Sequence, residues 1–126
     1  MEPLLIEKTD DTPGIHFDPA QNIFQIAGKS MPENPVKFYS KVFEWLNTFS
    51  SEVDSGTSIL LNVRFDYFNT ASSKLFLDLL DLFAELVEAG ATVKVLWNYR
   101  KGDDDMKDAG EEYAEMVEIP FEYKEN

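Results

Sequence analysis

The chain has 126 residues, eleven Lys and Arg against twenty-four Asp and Glu for a net charge of −13, and no cysteine. Disulfides, thiolate catalysis and Cys-based metal sites are therefore excluded, and so negative a surface repels both the nucleic-acid backbone and anionic membranes. A hydrophobic fraction of 44% with ten Phe suffices for one packed core in a single domain over 1–126 and argues against disorder.

The acidic surface suits plain solubility or partners with basic faces. The first residues carry no basic stretch and too short an apolar run for a signal peptide. No run is long enough to span a membrane, so a cytoplasmic protein is expected. Residues 1–11 read as a loosely ordered lead-in that can end in a short edge strand. Gly14–Phe17 and Ile23–Ile26 are two short apolar runs around the turn formers Asp18–Asn22, the pattern of a β-hairpin. The segment Gly28–Pro35 breaks the chain, and Asn34-Pro35 suits a helix start with Pro in the first turn.

From Val36 to about Ser51, Phe38, Val42, Trp45, Phe49 and Tyr39, Phe43, Leu46 recur at helical spacing. Ser58–Tyr67 reads as a strand with Ile59, Leu61, Val63, Phe65 and Tyr67 on one face. A second helix runs from about Ala71 to Ala89 with a wide apolar stripe, and Gly90 stops it. Thr92–Tyr99 is a further strand, Arg100–Asp105 a charged loop, and Asp105–Val117 a weaker amphipathic helix. Ile119–Tyr123 closes as a short strand on an edge, because Pro120 cannot donate to a ladder. The order β-β-α-β-α-β-α(-β) predicts an α/β domain, a mixed sheet with helices packed against it. Such a hairpin feeding a parallel core is also how the STAS fold of anti-sigma-factor antagonists begins, an analogy of fold alone.

The segment Asp66-Tyr67-Phe68-Asn69-Thr70-Ala71-Ser72-Ser73-Lys74 carries the most chemistry. It lies where the central strand ends and the long helix starts, the crevice in which open α/β sheets place ligands. Asn69 or Thr70 can cap the helix. A phosphate on Thr70 would face unpaired N–H groups and the positive end of the helix dipole, with Lys74 close enough to pair with it. Ser72 and Ser73 are further acceptors that spacing does not separate from Thr70, and a plain helix cap is the bland alternative.

Phe68-Asn69-Thr70-Ala71-Ser72-Ser73-Lys74 resembles the signature of the SiaC family of bacterial regulatory phosphoproteins. So do Thr12-Pro13-x-Ile15, Ser30-x-Pro32-Glu33-Asn34, Val95-x-Trp97-x-Tyr99, Gly110-Glu111-Glu112 and Pro120-Phe121, over about Thr12 to Glu122. The resemblance implies a STAS-like fold and no catalysis. It also implies a threonine, here Thr70, phosphorylated by a dedicated Ser/Thr kinase and cleared by a PP2C-type phosphatase. The unmodified protein would bind and activate a diguanylate cyclase, raising cyclic di-GMP and promoting biofilm. Phe68, Glu33 and Asn34 are expected to rim the same surface as Thr70, with Tyr67 a further candidate that reads better as a packing residue.

Other constellations are weaker. Asp103-Asp104-Asp105 lacks the alternating spacing of a cation loop, so no metal or cofactor is expected. His16, the sole histidine, has no nucleophile placed beside it, and Trp45 and Trp97 read as packing residues. A phosphoaspartate receiver using Asp66 would need an acidic pair after its first strand, and none is present. A partner-switching protein of the anti-sigma-antagonist kind and a constitutive acidic adaptor remain the alternatives.

Overall fold

Two apolar runs around a turn make the hairpin from which the sheet grows. The computed structural model describes residues 1–126. In it β2 (Gly14–Asp18) and β3 (Ile23–Ser30) pair antiparallel. Asp18 Oδ1 accepts from the N–H groups of Ala20 and Gln21, side-chain chemistry that closes such turns. Ahead of the hairpin, Leu4–Ile6 form β1, antiparallel to β2 with Leu5 opposite His16. Residues 1–11 are therefore not a loose lead-in. Leu4 and Ile6 pack on the core while Leu5 is exposed, and the Thr9 hydroxyl accepts from Asp11 and Thr12 N–H to shape the turn that follows. A strand of three residues is too short for its alternation to register, and pairing rather than propensity orders it.

Beyond the hairpin come α1 (Pro35–Ser50), β4 (Ser58–Phe68), α2 (Thr70–Glu88), β5 (Thr92–Tyr99), α3 (Asp104–Met116) and β6 (Phe121–Glu125). From β3 to β6 neighbouring strands are parallel, and the six-stranded sheet has the order β1-β2-β3-β4-β5-β6. The mixed α/β architecture expected from the element order is the one observed. Each crossover steps the same way, and right-handed crossovers that do so lay their helices on one face of the sheet. Burial agrees. Ile26, Leu61, Val63, Val95 and Trp97 face the helices and are buried, whereas Gln25, Leu60, Arg64 and Lys94 lie on the opposite, open face.

Two aromatic groups fill the covered side. Phe17, Phe24 and Phe83 meet edge-on or tilted beneath α1 and α2. Phe65, Phe76, Trp97 and Tyr113 form the second, under α2 and α3, with Phe65 and Phe76 centroids 5.0 Å apart. Trp97 is fully buried, and its Nε1 donates to the Met106 carbonyl at 2.9 Å. Gly110 of α3 lies directly against the indole.

Three boundaries differ from the sequence reading. Tyr67 was expected on the inward face with Phe65 but is 50% exposed. The register runs Gly28 opposite Phe65 and then Lys29 opposite Tyr67. Asp66 is thus an extra residue, and a bulge inverts the alternation beyond it. The acidic run is not simply a loop: Asp103 caps α3, accepting from Met106 N–H at 3.1 Å, and Asp104 and Asp105 occupy its first turn, where the helix dipole favours them. Finally, β6 sits two residues later than Ile119–Tyr123. Pro120 precedes it with its carbonyl accepting from Val95 N–H, and Ile119 is buried.

Candidate functional site

Thr70 reaches its position because the strand ahead of it is held and the residue before it is a cap. Phe68 ends β4 opposite Ser30 of β3, and the Asn69 N–H donates to the Ser30 carbonyl at 3.0 Å. Asn69 keeps extended backbone angles, and its side-chain oxygen accepts from Ser72 N–H at 2.9 Å. The cap is therefore Asn69, and Thr70 is the first helical residue. Asn69→Ala should cost about 1 kcal/mol of stability, read as a lower urea midpoint at unchanged slope.

The three hydroxyls that spacing left equivalent have different surroundings. Ser72 is fully buried, its Oγ 2.9 Å from Ser30 Oγ, which in turn lies 2.6 Å from Tyr39 Oη. No partner or kinase reaches it without opening α2, so Ser72 belongs to the scaffold and not to a binding surface. Ser73 is half-buried. Tyr113 donates its hydroxyl proton to the Ser73 carbonyl at 2.9 Å, so Ser73 Oγ is the donor across the 3.0 Å to Tyr113 Oη. Thr70 is exposed and joins none of the side-chain hydrogen bonds that fix its neighbours. The first N–H groups of a helix have no internal partner, and neither α1 nor α2 carries an acidic residue in its first turn. In a chain of charge −13, these mouths are places where an added phosphoryl group meets N–H dipoles before it meets carboxylates.

The remaining expected neighbours sort by exposure. Lys74 is exposed and outside the two ion pairs of the molecule, Lys94–Glu122 and Arg100–Asp66. Phe68 is half-buried, 5.3 Å from Phe65 and 6.2 Å from Tyr113 between ring centroids. Asn34 caps α1 by accepting from Lys37 N–H at 3.1 Å, with exposed Glu33 before it. Because β3 and β4 are parallel neighbours, the mouths of α1 and α2 open on the same edge of the sheet. Sequence reasoning missed Met31 and Val36 in the apolar rim there and favoured packing for Tyr67. Met31, Val36 and Tyr67 are 39%, 63% and 50% exposed. Tyr67 was hidden by the bulge, and Met31 and Val36 by flanking prolines that read only as breaks.

The tyrosines behind the site are held neutral. Burial pushes Tyr113 up from an ordinary 10.0 to about 12, against the lowering hydrogen bond from Ser73 and with Tyr39 and Glu112 adding to the rise. Tyr39 is raised by burial too, opposed by its bonds to Ser30 and Ser72. An unfolded chain releases its Tyr113 proton near 10 and the folded one near 12. This contribution to stability is therefore complete below pH 10 and is lost as pH climbs from 10 to 12. Denaturant midpoints should fall across that window, and Tyr113→Phe should flatten part of the fall.

Residues 6–126 match the family described as SiaC family regulatory phosphoprotein. The chain belongs to the SiaC family. It is 31% identical to an uncharacterized protein of Pseudomonas aeruginosa strain UCBPP-PA14 over 96% of this chain and 94% of that one. The structure of SiaC of Pseudomonas aeruginosa superposes with a TM-score of 0.86 at 30% identity, over 100% of both chains. A crystal structure of diguanylate cyclase SiaD in complex with its activator SiaC, from the same organism, matches with a TM-score of 0.87 at 30% identity, over 98% of this chain and 99% of that one. The six-stranded mixed sheet and three helices are thus the architecture of the SiaC structures. No helix is long and apolar enough to cross a membrane.

Proposed function

We propose that this SiaC-family chain is a single STAS-like regulatory domain over 1–126, non-catalytic and cytoplasmic, that binds and activates a diguanylate cyclase while Thr70 is unmodified. A Ser/Thr kinase and a PP2C-type phosphatase set the state of Thr70, and cyclic di-GMP output follows. The observation that carries this reading is the near-complete superposition on a SiaC chain that activates the cyclase SiaD. The exposed Thr70 hydroxyl, unengaged at a helix mouth, supports it. The apolar rim of Met31, Val36 and Tyr67, with Glu33, Asn34, Asn69 and Lys74 around it, supplies the contact surface. Apolar side chains at such an edge gain by leaving water in a complex. A phosphoryl group among them would add about −1.5 to −2 charges that docking would have to desolvate.

The test is reconstitution. A diguanylate cyclase from the same cell should convert GTP to cyclic di-GMP faster with the unmodified chain present, and phosphorylation mapped by mass spectrometry to Thr70 should remove the gain. A cyclase indifferent to the chain would overturn the effector, and a phosphate mapped elsewhere would overturn the site.

A further inference from the structure

The bases of this chain are few, yet three of the eleven converge on one cavity that has no part in the Thr70 surface. It measures about 330 Å³ and lies on the open face of the sheet, across the carboxyl ends of β3, β4 and β5, with Lys8, Arg64 and Arg100 reaching it. The volume is at the small end for ligand sites.

Each base arrives by a specific device. Gly28 has φ of +119°, and a Cβ there would meet Lys8 Cδ at 3.0 Å. The positive φ favours glycine there, and the missing side chain leaves room for the Lys8 stem over the strand. Arg64 projects from β4 and donates to Asn126 Oδ1 at 3.3 Å, with no carboxylate in ion-pair range. Arg100 meets the bulged Asp66 at 2.9 Å. Three cations face the Asp66 carboxylate and the main-chain carboxylate of Asn126, one of whose oxygens accepts from Lys101 N–H, so the cavity keeps a small positive balance within a strongly negative molecule. The floor is rigid. Asn98 is 2% exposed, donates to Asn62 Oδ1 and the Val63 carbonyl at 2.7 and 2.9 Å, and accepts from Asn126 Nδ2 at 3.3 Å. A buried carboxamide is costly unless bonded, and this one holds the strand ends that present Arg64 and Arg100.

We propose that this cavity is a binding site for a small phosphate-bearing anion, of sugar-phosphate or mononucleotide size. Guanidinium forks match phosphate oxygens in pairs, an ammonium adds a mobile point charge, and a phosphomonoester carries about the charge the cavity lacks. The site is independent of cyclase activation and sits on the face opposite the helices, although β4 leads from it directly to Asn69 and Thr70.

The experiment is an amide NMR titration of the full chain with inorganic phosphate, with adenosine 5′-monophosphate, and with adenosine and citrate as controls. Saturable shifts at Ala27, Arg64 and Asn98 with both phosphate probes, and none with adenosine, are expected. Arg64→Gln and Lys8→Gln, exposed positions that should leave the melting temperature unchanged, should each weaken binding about tenfold or more, the worth of one charge-assisted hydrogen bond. Absence of saturable shifts would overturn the site. So would shifts that survive both substitutions, or shifts that centre on Ala71. Equal response to citrate would overturn phosphate as the ligand class.

Discussion

Thr70→Glu should weaken binding of the proposed diguanylate cyclase partner about tenfold or more, while Thr70→Ala should stay within a few-fold of the parent. Neither substitution should weaken the fold. Thr70 is the first residue of α2, with no acidic neighbour in that turn, so a carboxylate there gains from the dipole by about 0.3–1 kcal/mol. The Glu variant should be as stable as the parent or slightly more so, and Ala close to neutral, since the cap is Asn69. Weakened binding in a protein that melts no earlier separates a switch from a damaged fold. Isothermal titration against the cyclase, with melting curves on the same samples, reads both. Equal affinities for the Ala and Glu variants would leave a constitutive adaptor as the better description.

Gly110→Ala should destabilise the chain by about 2–3 kcal/mol, seen as a lower urea midpoint. Helix propensity alone predicts the reverse, a gain of about 1 kcal/mol for replacing a glycine inside α3. Packing decides the sign. A Cβ on Gly110 would lie 2.5 Å from Cδ1 and Nε1 of Trp97, and that ring cannot step aside. Its Nε1 is bonded to the Met106 carbonyl, and Tyr113, Phe76 and Phe65 close around it. The helix would have to lift instead, drawing Tyr113 away from Ser73 one turn beyond Thr70. A Gly110→Ala protein of parental stability would mean that α3 slides freely on the sheet.

Long periodic segments were legible in the sequence, and what depended on pairing was not. The stripe of Leu79, Leu80, Phe83 and Leu86 announces α2, and its observed limits are within a residue of those predicted, because nineteen residues of one period leave little freedom. β1 was read only as a short edge strand that could end a loose lead-in, since three residues hold no period and only β2 organises them. Tyr67 was placed on the wrong face because a bulge is a property of two strands in register, and one strand read alone continues its alternation. At the site, the run from Phe68 to Lys74 pointed to the helix mouth, but three hydroxyls within four residues look alike on paper. Burial of Ser72 by Ser30 and Tyr39, forty-two and thirty-three positions earlier in the chain, separates them. The basic cavity was not legible at all. Lys8, Arg64 and Arg100 are scattered in sequence; neighbouring β4 and β5 bring the two arginines together, and the segment after β1 lays Lys8 over Gly28.

The strand order has a kinetic meaning as well. Every strand of the sheet pairs with the one made just before it, so no segment must wait for a distant partner or displace one already in place. Loop-closure entropy is met one crossover at a time, the first two parallel pairings joining residues more than thirty positions apart, such as Gln25 with Asn62 and Ser58 with Thr92. The hairpin can form while the rest is still being synthesised, and each strand with its helix then adds to an existing edge. In such growth each new strand is the open edge until the next one docks. The longest edge left open during such growth is that of β4, eleven residues that wait for β5.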